Sequence, residues 1–368
     1  MEISIENNQD VQVSLHDQKI NLHPVWLRER IKGEGFVDTD SHQRLYEPSS
    51  IRLDLKIRLA SIENRILNVD FDDGISTQYN LDELILEIDK ENFKEGHFPK
   101  IELWSSQLRD LPEISFEENM SESQAMLELL NKFYTYGFVV IKNVPTRDQY
   151  LLEFVNSIGP VRSTNFGMYF DVMSKPNPND LAYKPIALPP HTDNPYRTPV
   201  PGIQFLHCLE NEVSGGFSTL VDGFAVANYL KSKDVDAFNS LTSTKIRFRF
   251  QDNSIVLENR GELIELDEDL NLKQVRYSTR VEYVPPMPQD KLNSFYRARK
   301  ILSDLYSSSQ FELKFKLQKG DVIMFDNHRL LHGRTSYDPN EGMRHLQGCY
   351  LDFDSTDGKL RHLKRKFG

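Results

Sequence analysis

The chain has 368 residues and 42.8 kDa, enough for one large domain with a small companion, and two domains are expected. With 39% hydrophobic and 27% charged residues it has the composition of an ordinary globular protein and no need for extensive disorder. A formal charge of -11 argues against a phosphate backbone as partner, because affinity for nucleic acid depends on clustered Lys and Arg.

The start, MEISIENNQDVQVSL, has no basic stretch followed by an apolar one, and no run of about 18 apolar residues occurs anywhere. A cytoplasmic protein without membrane contact is the expectation. Cys208 and Cys349 lie far apart and read as free thiols in a reducing compartment.

Residues 1–95 carry short alternating runs, VQVSL, SIRLDLKI and RILNVDF, separated by polar turns such as Asp72-Asp73-Gly74, and read as a small β-rich domain. Residues 96–120 lose any sustained period and read as a linker laid across the surface of the next domain. The remainder, 121–368, is the large domain. It opens on a helix with Ser121 as cap, Gln124 three residues on, an apolar stripe from Met126 to Tyr134 and Gly137 as stop. The strand FVVIKNV comes next, then GIQFLHCL, STLVDGF, IRFRF, FELKFKL, DVIMFD and GCYLDFD, with helices only near 222–240 and 288–308. So many short strands with few helices make the chain mainly β, a barrel or double-sheet jelly roll. The basic run Lys359 to Lys366 reads as a solvated helix or terminal arm.

His191-Thr192-Asp193 offers two ligand side chains at i and i+2, which project to one side of an extended segment, and Pro189, Pro190 and Pro195 keep that segment out of a helix. Two imidazoles and one carboxylate on one face of iron(II) leave positions open for a chelating oxoacid and for oxygen. The third ligand must come from afar, and His328, His332 and His345 are the candidates. His332 is preferred because it starts a strand, HGRTS, that turns through residues 337–342 and returns as RHLQGCYLD, bringing Arg344 back beside the metal. An arginine there can grip the distal carboxylate of 2-oxoglutarate through two parallel hydrogen bonds. His328 sits in the preceding turn as a capping or surface residue, and His345 has the wrong strand parity.

HTDNPYRTPVPGIQFLHCLENEVSGGFSTLVDGF, with NHRLLHGRTSY and RHLQGCYLDFD, resembles the γ-butyrobetaine, trimethyllysine and trimethylaminoethylphosphonate hydroxylases, TauD/TfdA-like oxygenases that use Fe(II), 2-oxoglutarate and O2. The resemblance covers residues 121–368 and, more loosely, 1–95 through LHPVWLRER. It implies a double-stranded β-helix with a small N-terminal domain, hydroxylation of a small molecule, stimulation by ascorbate, and homodimerisation. It also implies His191, Asp193 and His332 as iron ligands, Thr219 as a hydroxyl and Arg344 as the arginine for 2-oxoglutarate. Phe166, Phe170, Tyr183 and Tyr350 fall at positions of an aromatic cage for a trimethylammonium group, Asp180 at an acidic cage position, and Asn194 where a tyrosine can stand. Tyr350 also shares strand parity with Arg344, which points it inward. Aromatic faces are what such a cation requires, and Arg280 is the candidate for a carboxylate or phosphonate at the other end. Asp193 fills the place that is a small residue in related halogenases, so hydroxylation is expected. Relatives carry zinc after the WLR motif, but here no cysteine precedes Cys208, and His23 and His42 cannot hold it alone, so no zinc is expected. Two other readings stay open: hydroxylation of a free amino acid or natural-product precursor, and a β-barrel that binds a small molecule without turnover.

Overall fold

The structure, a computed structural model, describes residues 2–15, 18–88, 98–173 and 185–368. They form two compact units, Met1–His97 and Phe98–Gly368. In the first, two antiparallel meanders, β1 (Glu2–Glu6), β2 (Asp10–Leu15), β3 (Gln18–Asn21) and β4 (Ile57–Glu63), β5 (Ile66–Phe71), β6 (Ser76–Asn80), share one core with the helices Pro24–Arg28 and Leu81–Ile88. Inward Leu67, Val69 and Phe71 alternate along β5, as a half-buried strand requires. SIRLDLKI departs from its expected strand: β4 begins only at Ile57, and Leu53 is 88% exposed. The stretch before it turns instead, and the Lys56 N–H donates to Asp72 Oδ1. His23 caps the first helix, its Nδ1 accepting from Val25 N.

The second unit adds β7 (Glu113–Ser115), β8 (Phe138–Lys142), β9 (Phe170–Met173), β10 (Leu188–His191), β11 (Ile203–Asn211) and β12 (Ser218–Asp222). After them come β13 (Ile246–Gln251), β14 (Val256–Gly261), β15 (Ile264–Leu266), β16 (Leu272–Val275) and β17 (Glu282–Tyr283), then β18 (Leu313–Phe315), β19 (Val322–Asp326), β20 (Leu330–Arg334) and β21 (Arg344–Leu351). Six strands form one sheet in the order β7-β8-β19-β11-β21-β9, and four form another, β10-β20-β12-β18. The inner faces share a core: Phe138, Cys208, Phe325 and Leu346 from the first meet Leu220, Leu313 and Leu330 from the second. The outer face of the six-stranded sheet is covered by the helices Gln124–Tyr136, Tyr150–Asn156 and Phe353–Phe367, that of the four-stranded sheet by Gly223–Lys233, Val235–Ser243 and Gln289–Tyr306. Both cysteines are buried and in no disulfide. Among the described residues no helix is long and apolar enough to cross a membrane.

Several local readings shift. The helix after residue 121 is capped by Ser123, whose hydroxyl accepts from Met126 N, while the Ser121 hydroxyl donates to the Ser157 carbonyl. Gly137 ends it at φ +77, the left-handed stop that its position implies. Part of the 96–120 stretch packs rather than merely crossing: β7 runs parallel to β8, and Trp104 is buried against Phe138. The basic tail is a helix with Leu360 and Leu363 buried, whose Lys359, His362 and Lys366 converge on Glu122; their hydrogen bonds pull its carboxyl down to about 2.

The largest correction concerns β20 and β21. They are not a hairpin: β20 pairs with β10 and β12, β21 with β11 and β9, so the chain between them crosses from one sheet to the other. Arg344 therefore reaches the cavity from the wall opposite His332.

Candidate active site

A cavity of about 480 Å³ opens between the two sheets. At its floor β10 pairs with β20 so that His191 stands directly opposite His332, and direct cross-strand neighbours keep their side chains in contact. The two rings lie 4.3 Å apart between centroids. Thr192, between the two sequence-neighbour candidates, is anchored through its N–H and its hydroxyl to the backbone of Tyr277. Asp193 Oδ1 then lies 3.5 Å from His191 Nε2 and 3.9 Å from His332 Nε2. One ligand atom from each of the three residues falls within 4.8 Å of the others.

Their protonation suits a cation. His191 Nδ1 lies 2.8 Å from the Pro189 carbonyl, which fixes the ring with Nε2 turned toward Asp193. Burial, aided by the His191 ring, drives His332 down to about 3, and it is neutral near pH 7. Burial alone would raise Asp193, but the imidazoles and a hydrogen bond from Tyr350 outweigh it and hold the carboxyl well below its ordinary range. The Asp193 carboxylate and the neutral His332 ring, with His191 beside them, turn their ligand atoms toward one point.

Arg344, at the start of β21, is buried and its Nε and Nη1 have no protein partner. Burial first, and the neighbouring Arg334 second, push its guanidinium down to about 10, still charged near neutrality. Both guanidiniums lie on the Tyr337 ring, 5.6 and 5.0 Å from its centroid. Room for Arg344 comes from Gly216, at φ +67, where a Cβ would meet Arg344 Nε at 2.8 Å. Two like charges buried side by side are costly unless an anion joins them.

Of the other residues singled out in the sequence, Phe166, Phe170, Asn194, Arg280 and Tyr350 all line this cavity. Thr219 does not. Register puts Ser218 opposite Arg334 on the cavity side, and the Thr219 hydroxyl lies over Gly333, 2.7 Å from where its Cβ would stand. Strand alternation sends neighbours to opposite faces, so Ser218 rather than Thr219 is on the cavity side. Phe170 seats on β21 over Gly348, where a Cβ would come within 2.5 Å of its ring, and its ring centroid is 5.3 Å from that of Tyr350. Phe166 extends the aromatic wall to Phe250 at 5.7 Å, and Tyr196 stacks on Phe250 at 5.1 Å. Asn194 takes the left-handed φ of +53 that asparagine tolerates, accepts from the Tyr196 hydroxyl and keeps its Nδ2 without a partner. Asp180 and Tyr183 lie outside the described residues.

The rejected histidines are engaged elsewhere. His345 Nε2 bonds Asp171 at 2.7 Å. His328 is packed rather than exposed, its Nε2 3.1 Å from the Val200 carbonyl. Sequence reading missed Arg334, which shares the face of His332 two residues before it, and Gln204, an inward residue of β11 whose buried Oε1 has no partner. Tyr196 and Phe250 were missed as well; strand parity could have found Arg334 and Gln204, but not aromatics brought together from loop and distant strand.

Residues 102–350 match the family model described as taurine catabolism dioxygenase TauD, TfdA family. The chain belongs to this family. A gamma-butyrobetaine dioxygenase of Pseudomonas sp. (strain AK-1) is 30% identical over 360 residues, covering 96% of this chain and 94% of that protein. The mitochondrial trimethyllysine dioxygenase of Mus musculus is 30% identical over 354 residues, 92% of this chain and 82% of its own length. Among solved structures, PvcB of Pseudomonas aeruginosa, described as an Fe, alpha-ketoglutarate dependent oxygenase from an isonitrile synthetic pathway, aligns with a TM-score of 0.50 at 17% identity, over 68% of this chain and 89% of that one. That likeness speaks to the fold. This TauD/TfdA-family protein is thus a 2-oxoglutarate-dependent dioxygenase whose reagents are iron(II), 2-oxoglutarate and dioxygen. Its residues fit both groups: a His-Asp-His set with lone pairs converging on one point suits iron(II), and a buried guanidinium with unpaired donors suits an oxoacid dianion.

Proposed function

We propose that this dioxygenase hydroxylates a C–H bond of a small zwitterion bearing a trimethylammonium or amine group at one end and a carboxylate or phosphonate at the other. The observation that carries this reading is the aromatic wall, Phe170 against Tyr350 and Phe166 against Phe250 and Tyr196, standing beside the His-Asp-His set. Ring faces attract a cation that can donate no N–H hydrogen bond. Arg280, at the cavity mouth, takes the anionic end, and Asn194 Nδ2 and Gln204 Oε1 orient the chain between.

In this proposal His191, Asp193 and His332 hold iron. Arg344 takes the distal carboxylate of 2-oxoglutarate through its free Nε and Nη1, Arg334 adds its field, and Ser218 offers the hydroxyl expected of Thr219. Iron(II) held there would supply the site at which dioxygen, the oxidant, gives one oxygen atom to the C–H bond, making C–OH, and the other to 2-oxoglutarate, which leaves as succinate and carbon dioxide. The protein's part is to aim one C–H bond and exclude water from the rest. The fold is read as a double-stranded β-helix, residues 121–368, carrying a small structural N-terminal domain, residues 1–95, with the segment between belonging largely to the former. A cytoplasmic homodimer is the assembly that goes with it.

The test is succinate release by purified protein with iron(II), ascorbate and 2-oxoglutarate. The panel comprises γ-butyrobetaine, trimethyllysine, trimethylaminoethylphosphonate and their unmethylated counterparts. A methylated zwitterion should stimulate succinate and gain one oxygen atom by mass spectrometry. Stimulation by unmethylated amino acids alone would remove the cage from the proposal, and no succinate with any compound would leave a binding barrel without turnover.

A further inference from the structure

Asp193 is held from two directions. Its main chain is clamped by the fully buried Asn327, whose Oδ1 accepts from Asp193 N at 2.7 Å and whose Nδ2 donates to the Asp193 carbonyl at 3.0 Å. Asn327 also donates to the Pro201 carbonyl at 2.9 Å, which ties it to the segment leading into β11. With the backbone fixed, what remains free is the rotation of the carboxylate itself. That rotation decides which oxygen faces the two imidazoles.

Tyr350 decides it. Its hydroxyl donates to Asp193 Oδ2 at 2.7 Å, whereas Oδ1 is the oxygen near His191 and His332. The donor comes from β21, in the sheet opposite the two histidines, and its own backbone is pinned where Arg162 N donates to the Tyr350 carbonyl at 2.9 Å. A phenol hydroxyl donating to a carboxylate oxygen makes a charge-assisted bond, stronger than one between neutral partners. The same residue presents its ring beside Phe170 on the aromatic wall.

We infer that Tyr350 is a positioning residue: its hydroxyl holds Asp193 Oδ2 and thereby presents Asp193 to the metal through Oδ1 alone. Its two parts serve separate purposes, the hydroxyl acting on the metal ligand and the ring on the substrate wall. Second partners that orient a ligand typically govern tenfold to hundredfold of metal affinity. A carboxylate released from Tyr350 can swing to offer both oxygens, occupying a position the oxoacid or oxygen needs.

Tyr350→Phe separates the two parts, because it removes one oxygen atom and keeps the ring. Mn(II) binding, followed as loss of the free-ion EPR signal with 2-oxoglutarate present and no substrate, should weaken about tenfold or more. In turnover, succinate formed should exceed hydroxylated product while the substrate KM stays within about twofold. Phe170→Leu, the comparison variant, should do the reverse, raising KM and leaving Mn(II) affinity as it was. Circular dichroism of both metal-free variants establishes that they are folded at the assay temperature; if Tyr350→Phe is not, Tyr350→Trp, which keeps a ring but moves the donor off Oδ2, takes its place with the same expected weakening. Mn(II) binding equal to wild type overturns the inference, as does an equal weakening by Phe170→Leu. The turnover arm rests on the substrate reading above, but the Mn(II) arm does not: failure of the substrate panel leaves it decisive, and parity in Mn(II) binding leaves the substrate reading intact.

Discussion

The two ends of the cavity are built by different means. The end that holds the His-Asp-His set and Arg344 stands on paired strands: His191 faces His332 across a ladder, Ser218 faces Arg334, and Arg344 opens a strand paired over most of its length. Nearly every group there is buried and positioned by a neighbour at fixed register. The mouth is made instead of side chains from connecting segments, Phe166 and Arg280, together with the end of β13; Phe166 is 38% exposed. A ladder-built base with a rim of connections lets one chemistry be kept while its substrate changes, since binding residues on connections vary without disturbing the ladder.

If that contrast is right, the floor should tolerate almost nothing. His332→Ala removes one of three converging ligand atoms, and we expect at least about a hundredfold loss in turnover and in Mn(II) affinity, with the metal-free fold retained. Equilibrium dialysis against Mn(II) and circular dichroism check the two halves. A variant that kept metal and activity would mean that the ligand set is not this one. Next in size is Arg344→Lys. Lysine keeps the charge but not the two-pronged geometry, so the KM for 2-oxoglutarate should rise roughly tenfold to a hundredfold, a loss of about 1.5–3 kcal/mol, while Mn(II) affinity measured without 2-oxoglutarate is unmoved.

The same contrast explains what could be read in advance. His191, Asp193, His332 and Arg344 were legible because ligand chemistry demands particular residue types, and strand parity then limits which can meet. Parity also turns Tyr350 toward the cavity it lines, while His345 is bonded to Asp171. What failed was pairing. Nothing local in HGRTSYDPNEGMRHLQGCYLD distinguishes a hairpin from a crossover between sheets, since both need a turn and two alternating runs. Thr219 lies off the cavity lining for a related cause: a Ser-Thr pair offers two hydroxyls, and alternation turns only Ser218 to the cavity face. At the rim no period exists to read, so Tyr196 and Phe250 became visible only when β13 folded over the loop after Asp193.

A smaller effect probes the seam between floor and rim. Gly348→Ala would place a methyl 2.5 Å from the Phe170 ring, which must tilt away from Tyr350. The expected result is a rise of several-fold in substrate KM, of the size of about 1 kcal/mol for a disturbed aromatic pair, with the KM for 2-oxoglutarate unchanged. Equal changes in both would mean that floor and rim are not separable.

The last and gentlest lever is acid, and it should act on the floor through its support. His328 lies in the turn between β19 and β20, the connection that also carries Asn327, and its Nε2 bonds the Val200 carbonyl at 3.1 Å. Burial pushes it down to about 4; the Val200 carbonyl pulls the other way, and around it Arg276 lowers it while Glu265 and Asp352 raise it. A histidine whose folded pKa lies below its unfolded value of about 6.5 contributes stability that is present above pH 6.5 and lost as the pH falls toward 4. The full span is worth at most about 3 kcal/mol, so between pH 7 and pH 5.5 only a fraction of that should disappear, a drop of a few degrees in melting temperature. Buried His207, also lowered to about 4 by burial, adds in the same direction. His328→Asn should flatten the slope of melting temperature against pH below 6.5, even where it lowers stability at pH 7 by disturbing the contact with Val200. An unchanged slope would mean that the turn bearing Asn327 is not acid-sensitive, and that the floor draws its rigidity from the ladders alone.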